Sequence, residues 1–596
     1  MSRVVVIGGG LAGISAAIAL REVGAEVTLL EARPRLGGAT CSFSRDGLVV
    51  DNGQHVFLRC CTAYRGLLGR LGMTSSVMLQ DRFDVTVLRP GPQARQARLR
   101  RNSLPGPLHM GAALAAYPLL SLPERLMVGR AALAMKRLDP ASPAVDQLKL
   151  GDWLAARGQS ERARRALWDL FTVSSLNVAG DDANLALAAT VVKTALLGKR
   201  DAADIGVPAV PLGDLHGQAA MDLLRRQGAD VRLNAKVAAV EYEYEYRGPD
   251  FSFFEKEIDR ADPVAGREPS GRGGGFSTAP SDPVAGGEPS GRGSGFSTVP
   301  SDPVAGSEPS GTGGGFSTVP SETSAAAPAG RGGRFIVRLG RHADPALPDG
   351  NGALTALNGA AGRNPGQKGT ANGAAHGALT SGVIEADGVI IAVPPEQAAR
   401  LIPPAASAAA KAAGSWRDLG SSPILNVHVV YDRKVMSPPF VAAVDSPVQW
   451  VFDRTAQSGL ARDHAGVAGQ YIAVSVSAAD EMVDLPAAKL REIFVPALGE
   501  LFPAAAVARV TDFFVTRERR ATFRQEPGCE RLRPPAATGL PGLALAGAWT
   551  DTGWPDTMEG AVRSGLNAAR ELRRSLGATA RMTAVSHPAG VFGADA

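Results

Sequence analysis

Three glycines near the start, Gly8, Gly10 and Gly13, and one carboxylate, Glu31, have the types and spacing that hold a dinucleotide. In G-x-G-x-x-G the first glycine permits a tight turn and the second lets backbone approach a pyrophosphate. The third lets a helix pack closely on the preceding strand. Glu31 follows where a carboxylate accepts hydrogen bonds from a ribose diol. A second group, Asp51-Asn52-Gly53-Gln54-His55, sets acid–base residues and an amide within five positions. Asp51 and His55 suit proton transfer and Gln54 suits hydrogen-bond donation; Asp51 and Gln54 equally suit tying down a loop. A further carboxylate, Asp556, lies in Trp554-Pro555-Asp556-Thr557-Met558-Glu559.

These groups need elements to position them. Val4 to Ile7 is a short β-branched run, the composition of a buried strand. A small-residue helix is predicted from about Leu11 to Val23, its N-terminus offering free N–H groups and a positive dipole end to phosphates. Glu26 to Leu30 reads as a second strand, ending on Glu31. A glycine pattern alone is weak in a chain with 70 glycines. The strand before it, the helix after it and the acid beyond it make it specific.

The run V-x-G-G-G-x-A-G-x-x-A, followed by L-x-E-A-x-x-x-x-G-G, resembles the opening of the flavin amine oxidase and phytoene desaturase superfamily. With D-x-G-Q-H at 51–55, the whole pattern is most similar to the hydroxysqualene dehydroxylase family, the squalene-associated FAD-dependent enzymes of hopanoid biosynthesis. The stretch Leu543 to Ala561 resembles the C-terminal FAD motif of carotenoid and squalene-associated desaturases. The resemblance implies FAD as cofactor. It places Gly8, Gly10, Leu11, Ala12, Gly13, Glu31, Ala32, Arg33, Gly37, Gly38 and Ala39 around the dinucleotide. It sets Gly53, Gln54 and His55 beside the flavin ring and Val237 against adenine through its backbone. At the C-terminal end it implies contacts from Gly547, Thr557 and Met558, with a helix starting near Asp556 and Glu559 in the capping-box position. The family has an acid after Gly547; this chain has Ala548, and Asp551 is the expected substitute.

On this resemblance the chain is expected to be an FAD-dependent oxidoreductase that replaces the hydroxyl of hydroxysqualene with a hydride, giving squalene. Asp51, His55 and Asp556 are the candidates for the acid that assists departure of water. A C30 triterpenoid is then the substrate, and no pattern points to the electron donor. A carotenoid or phytoene desaturase, which runs hydride transfer the other way, is the alternative. An amine or protoporphyrinogen oxidase and a non-enzymatic flavin-fold scaffold follow.

At 596 residues more than one domain is expected, and 20% charged with 45% hydrophobic residues is ordinary for a soluble globular protein. A formal charge of +5 is mild; it fits an anionic membrane surface and calls for no nucleic acid. Cys41, Cys60, Cys61 and Cys529 form no C-x-x-C pair, so neither a metal site nor a disulfide framework is expected. With a strand already at residue 4, no signal peptide is expected, and no apolar run reaches the roughly 18 residues of a spanning helix. The expected location is cytoplasmic. Leu126, Val128, Leu133 and Met135, set among Arg125, Arg130, Lys136 and Arg137, suit either a helix packed on its own domain or one lying on the inner face of the cell membrane.

The expected fold is α/β: a Rossmann-like FAD-binding domain with an inserted α+β substrate domain. Its FAD-binding parts are residues 1–88, 206–246, 381–405 and 531–577. Residues 89–205 form a helical, substrate- or membrane-facing region, with 89–101 basic and irregular, and 406–530 supply a substrate-side sheet. Between them, 247–380 is a low-complexity insert. It carries Asp-Pro-Val-Ala-Gly at Asp262, Asp282 and Asp302, a 20-residue period too poor in apolar residues for a solenoid and expected to be disordered. Residues 578–596 read as a loose tail.

Overall fold

Five short strands, far apart in the chain, lie parallel in the order Asp230–Arg232, Glu26–Leu30, Arg3–Ile7, Gly388–Ile391 and Leu543–Leu545 in a computed structural model of the protein. The structure describes residues 1–91, 95–244, 333–340, 382–460 and 469–585. The repeats, the second low-complexity run and the end of the tail lie outside the described residues. Val4 to Ile7 and Val389 to Ile391 are buried. A strand covered on both faces reads as a continuous apolar run rather than an alternation. Each such side chain contributes roughly 1.5–3 kcal/mol on burial.

The helix Leu11–Arg21 covers this sheet through Ile14, Ala17 and Ile18, and the last helix, Met558–Val585, lies against it. Their contact is backbone-close at Gly565, where a Cβ would stand 2.1 Å from the Ala12 carbonyl oxygen. The helix Leu11–Arg21 and the helix Met558–Val585 therefore meet just past the glycine-rich turn. A three-stranded antiparallel sheet, Val237–Tyr244, Gly333–Leu339 and Val383–Ala386, stands beside the parallel one. The chain leaves it at Tyr244 and re-enters at Gly333, the residue directly paired with Tyr244.

The substrate-side sheet has seven strands, in the order Val510–Thr522, Ser422–Tyr431, Gln470–Ser477, Trp450–Asp453, Phe440–Ala443, Asp84–Arg89 and Arg95–Arg100. Its first five strands lie between residues 422 and 522, inside the range 406–530 where a substrate-side sheet is expected. The last two correct the expectation. The stretch Arg89 to Arg101, read as irregular, contains the edge strand Arg95–Arg100, and a boundary at residue 88 cuts the strand Asp84–Arg89. Ala97 and Leu99 point inward, while Gln96, Arg98 and Arg100 face solvent. Two small-to-medium apolar residues among arginines give a faint alternation, and charge is how an exposed sheet edge resists pairing with other chains.

Helices from Gly111 to Leu197 form a layer over this sheet; of the core candidates in this stretch, Trp153, Trp168 and Leu170 are buried and Phe171 is half-buried. Among the described residues no helix is long and apolar enough to cross a membrane.

Candidate active site

The glycine-rich turn has the steric form its spacing demands. Gly8 has φ +108°, and a Cβ there would stand 2.2 Å from the Ala392 carbonyl oxygen; at Gly13 it would stand 1.9 Å from that of Gly8. Gly10 differs. It is the N-cap of Leu11–Arg21 and supplies no capping side chain, and a Cβ there would meet nothing nearer than Gly38 Cα at 3.9 Å. Gly38, at φ +58°, packs backbone to backbone against it, a Cβ there falling 2.8 Å from Gly10 Cα, and Gly37 N–H donates to the Gly9 carbonyl at 2.9 Å. The first-turn N–H groups of Leu11 and Ala12 open on the same place.

Glu31 ends the second strand as expected, and its carboxylate braces the turn: Oε2 accepts from Gly9 N–H at 2.6 Å and Oε1 from Arg33 N–H at 2.8 Å. A carboxylate has about four lone-pair positions, so two remain for a ribose diol. Ala235 N–H donates to the Glu31 carbonyl and Asn234 N–H to that of Arg33, which brings the start of Val237–Tyr244 past the acid. Val237 sits half-buried at that start. Ala32, Arg33 and Ala39 are exposed on the loops around it.

The segment Asp51 to His55 joins this domain to the seven-stranded sheet. Asp51 is buried and accepts three hydrogen bonds: Ser42 Oγ at 2.6 Å, Leu212 N–H at 3.0 Å and the Arg454 guanidinium at 2.6 Å. Asn52 donates to the Ala39 carbonyl and the Glu518 carboxylate, and its own carbonyl accepts from Asn426 and Thr516. Of the two readings of Asp51, the geometry gives it the tying one, since donors surround it. Gln54 is not part of that tie: its Nε2 is buried with no hydrogen-bond partner among the described residues. His55 is half-buried, and burial lowers its pKa to about 4, with Asp51 opposing and Arg454 adding to the shift. It is a neutral ring at pH 7. Behind it His216, fully buried and lowered by burial to about 3, shares a hydrogen bond between its Nε2 and the Tyr64 hydroxyl at 2.8 Å.

The C-terminal motif is held by Arg533, which sequence reasoning missed. Its buried guanidinium donates to the carbonyls of Ala548, Thr550 and Trp554 and pairs with Glu530. Trp549 Nε1 donates to the Val393 carbonyl, and Gly547, at φ +143°, accepts from Thr550 N–H. Two details depart from expectation. The helix begins at Met558 and its cap is Thr557, whose Oγ1 accepts from Gly560 N–H at 3.2 Å. Glu559 caps a different helix: its buried carboxylate accepts from the N–H groups of Ala63 and Tyr64 at the start of Thr62–Leu71. Asp551 is exposed and closes its own turn by accepting from Gly553 N–H. Asp556 is half-buried and accepts from Phe523 N–H through Oδ2. Burial raises its pKa to about 6, against the lowering effects of Phe523 N–H and Arg533.

Asp51, Gln54 and His55 thus share one segment, Gly10 and Gly38 meet at the glycine-rich turn, and Asp556 stands in the loop that Arg533 staples. Arg454, Asn426, Thr516 and Arg533 carry no local signal; each acts on a segment distant in sequence.

The family model described as flavin containing amine oxidoreductase matches residues 11–264 and 368–573. The chain belongs to that family. Among solved structures it resembles a putrescine oxidase variant (17% identity, 96% of this chain and 99% of that one, TM-score 0.56) and the cyclohexylamine oxidase of Brevibacterium oxydans (16%, 97% and 99%, TM-score 0.55). At such identities the likeness is one of fold. Similar curated chains include the hydroxysqualene dehydroxylase of Rhodopseudomonas palustris, 35% identical over 185 residues, 31% of this chain and 38% of that protein. The zeta-carotene desaturase of Zea mays is 28% identical over 184 residues, 28% of this chain and 31% of that protein. The matched stretch spans less than two fifths of either relative.

The cofactor of this flavin containing oxidoreductase is FAD, and the site fits it. Gly10 leaves its Cβ side open, with no described atom nearer than 3.9 Å, at the N-terminus of Leu11–Arg21, and Gln54 Nε2, without a partner among the described residues, is a donor left for a bound group.

Proposed function

We propose that this enzyme removes the hydroxyl of hydroxysqualene reductively, giving squalene. The reading is carried by one observation: the loop expected beside the flavin holds a neutral imidazole and an amide unpartnered among the described residues, while the one candidate carboxyl with a pKa near neutrality, Asp556, stands in the loop that Arg533 staples. The match to hydroxysqualene dehydroxylases supports it.

Bound and reduced FAD supplies a hydride. Gly8, Gly10 and Gly13 admit its pyrophosphate, Glu31 its ribose, and Gln54 offers an N–H donor. An allylic hydroxyl departs readily once protonated or strongly hydrogen-bonded, leaving as water while a hydride completes the carbon. Asp51, held by Arg454, orients the loop. Asp556 holds the proton at Oδ1, the oxygen not engaged by Phe523 N–H. His55, neutral, hydrogen-bonds without charging. Such a substrate dissolves in lipid, which places the enzyme peripherally on the cytoplasmic face of the membrane.

Reduced enzyme incubated anaerobically with hydroxysqualene is expected to yield squalene, and in deuterated water one deuterium appears at the former carbinol carbon. The match to carotene desaturases favours a second reading, hydride removal from a polyprenyl hydrocarbon. If phytoene bleaches the oxidised enzyme and hydroxysqualene leaves the reduced enzyme unchanged, that reading replaces the first.

A further inference from the structure

We infer that the helical layer carries a docking surface for an anionic lipid bilayer, built from five leucines and a ring of cations. Leu104, Leu108, Leu122, Leu126 and Leu133 are exposed by 49, 60, 69, 72 and 54%. Single exposed leucines are ordinary; a group of them on adjoining segments marks an interaction surface.

The segments do adjoin. Leu108–Met110 leads directly into Gly111–Ala115, which packs on Leu122–Lys136. Arg125 fastens the two helices by donating to the carbonyls of Ala115 and Leu120. Gly106 lies against the Gly198 backbone, and Arg200 donates to the Ser103 carbonyl. Within Leu122–Lys136, Val128, Ala131 and Met135 face the core. Leu122, Leu126 and Leu133 recur at helical spacing on the opposite side.

Charge decides the occupant. From Leu104 to Leu138 the single carboxylate is Glu124, and Arg162 and Ser160 engage it. Arg130, Lys136 and Arg137 are exposed on or beside the leucine helix. Lys199 and Arg200 line a shallow cavity with Ser103, Pro105 and Gly106, next to Leu104. Leucines entering the acyl boundary with cations at the phosphate level is the arrangement of an interfacial helix on an anionic leaflet. A second copy of the chain would set these cations against themselves.

The inference rests on the proposed function only for why lipid contact is useful, and its test contains no substrate. FAD-loaded full-length protein is sedimented with phosphatidylcholine vesicles, with or without about 30% phosphatidylglycerol. Wild type is expected to pellet with the anionic vesicles and to be released by salt. The variant L122S/L126S/L133S is expected to lose about tenfold or more in binding while keeping flavin content and melting temperature, because all three side chains face solvent. A second variant, R130E/K136E/R137E, should lose the preference for anionic vesicles. Undiminished binding by the leucine variant overturns the proposal. So does sedimentation velocity showing that wild type is a dimer that this variant dissociates.

Discussion

Asp51 and Arg454 form a buried ion pair at 2.6 Å between residues 403 positions apart, joining the segment Asp51 to His55 to the turn after the strand Trp450–Asp453. Arg454 also donates to the Pro208 carbonyl, and Asp51 accepts from Leu212 N–H, so three segments share one charge pair. A buried pair adds modest net stability, but removing one partner strands the other. Arg454→Met should therefore destabilise the fold by about 3–5 kcal/mol. Asp51→Asn, which keeps an acceptor for Leu212, should cost less. Chemical denaturation of the two variants checks the order, and equal losses would show that the pair is not what joins the segments.

The glycines of the turn make different demands, and substitutions should separate them. Gly13→Val places its side chain against the Gly8 carbonyl, so helix and strand cannot meet and flavin is lost with the fold. Gly10→Ala meets no protein atom nearer than 3.9 Å. This variant should fold normally yet bind FAD weakly, because its methyl enters the space where the pyrophosphate approaches. Circular dichroism and the flavin absorbance of the purified proteins distinguish the two; a fully yellow Gly10→Ala protein would move the cofactor elsewhere.

The same contrast explains what could be read in advance. The strands Arg3–Ile7 and Glu26–Leu30 and the helix between them are local consequences of composition, and their bounds emerge from the sequence almost unchanged. Glycine spacing is steric, so Gly8 and Gly13 declare themselves. Arg454 and Arg533 do not, since an arginine that staples a distant loop looks like any surface arginine until the chain folds. Glu559 misleads for the same reason: three residues after Asp556 it has the spacing of a local cap, yet its carboxylate satisfies the N–H groups of Ala63 and Tyr64 instead. The edge strand Arg95–Arg100 was hidden by its solvent-facing arginines.

The pairing of Tyr244 with Gly333 bears on the long insert. A chain that leaves and re-enters a hairpin at adjacent positions can be shortened between them at little cost, because loop-closure entropy changes slowly with length. Removing Pro263 to Ser321, which carries the three repeats, should leave flavin content and turnover within about twofold. Loss of folding would show that the repeats pack on the enzyme.

Asp556 supplies the sharpest test of the proposed chemistry. Its carboxyl titrates at about 6, raised by burial from an ordinary 3.8. As the acid, it works in its protonated form, so kcat/KM for dehydroxylation should be flat below about pH 5 and fall about tenfold per unit above pH 6. Asp556→Asn can still accept from Phe523 N–H but holds no acidic proton; it should lose about a hundredfold or more in turnover and flatten the profile. Stability gives an independent readout with the same sign. The folded pKa lies above the unfolded one, so this group's contribution is fully present below about pH 4 and is lost as pH rises through 6. The asparagine variant should lack that decline in denaturation experiments. A variant that loses the stability slope but keeps the wild-type rate profile would leave Asp556 a buried structural carboxyl and return the role of acid to the loop at Gln54 and His55.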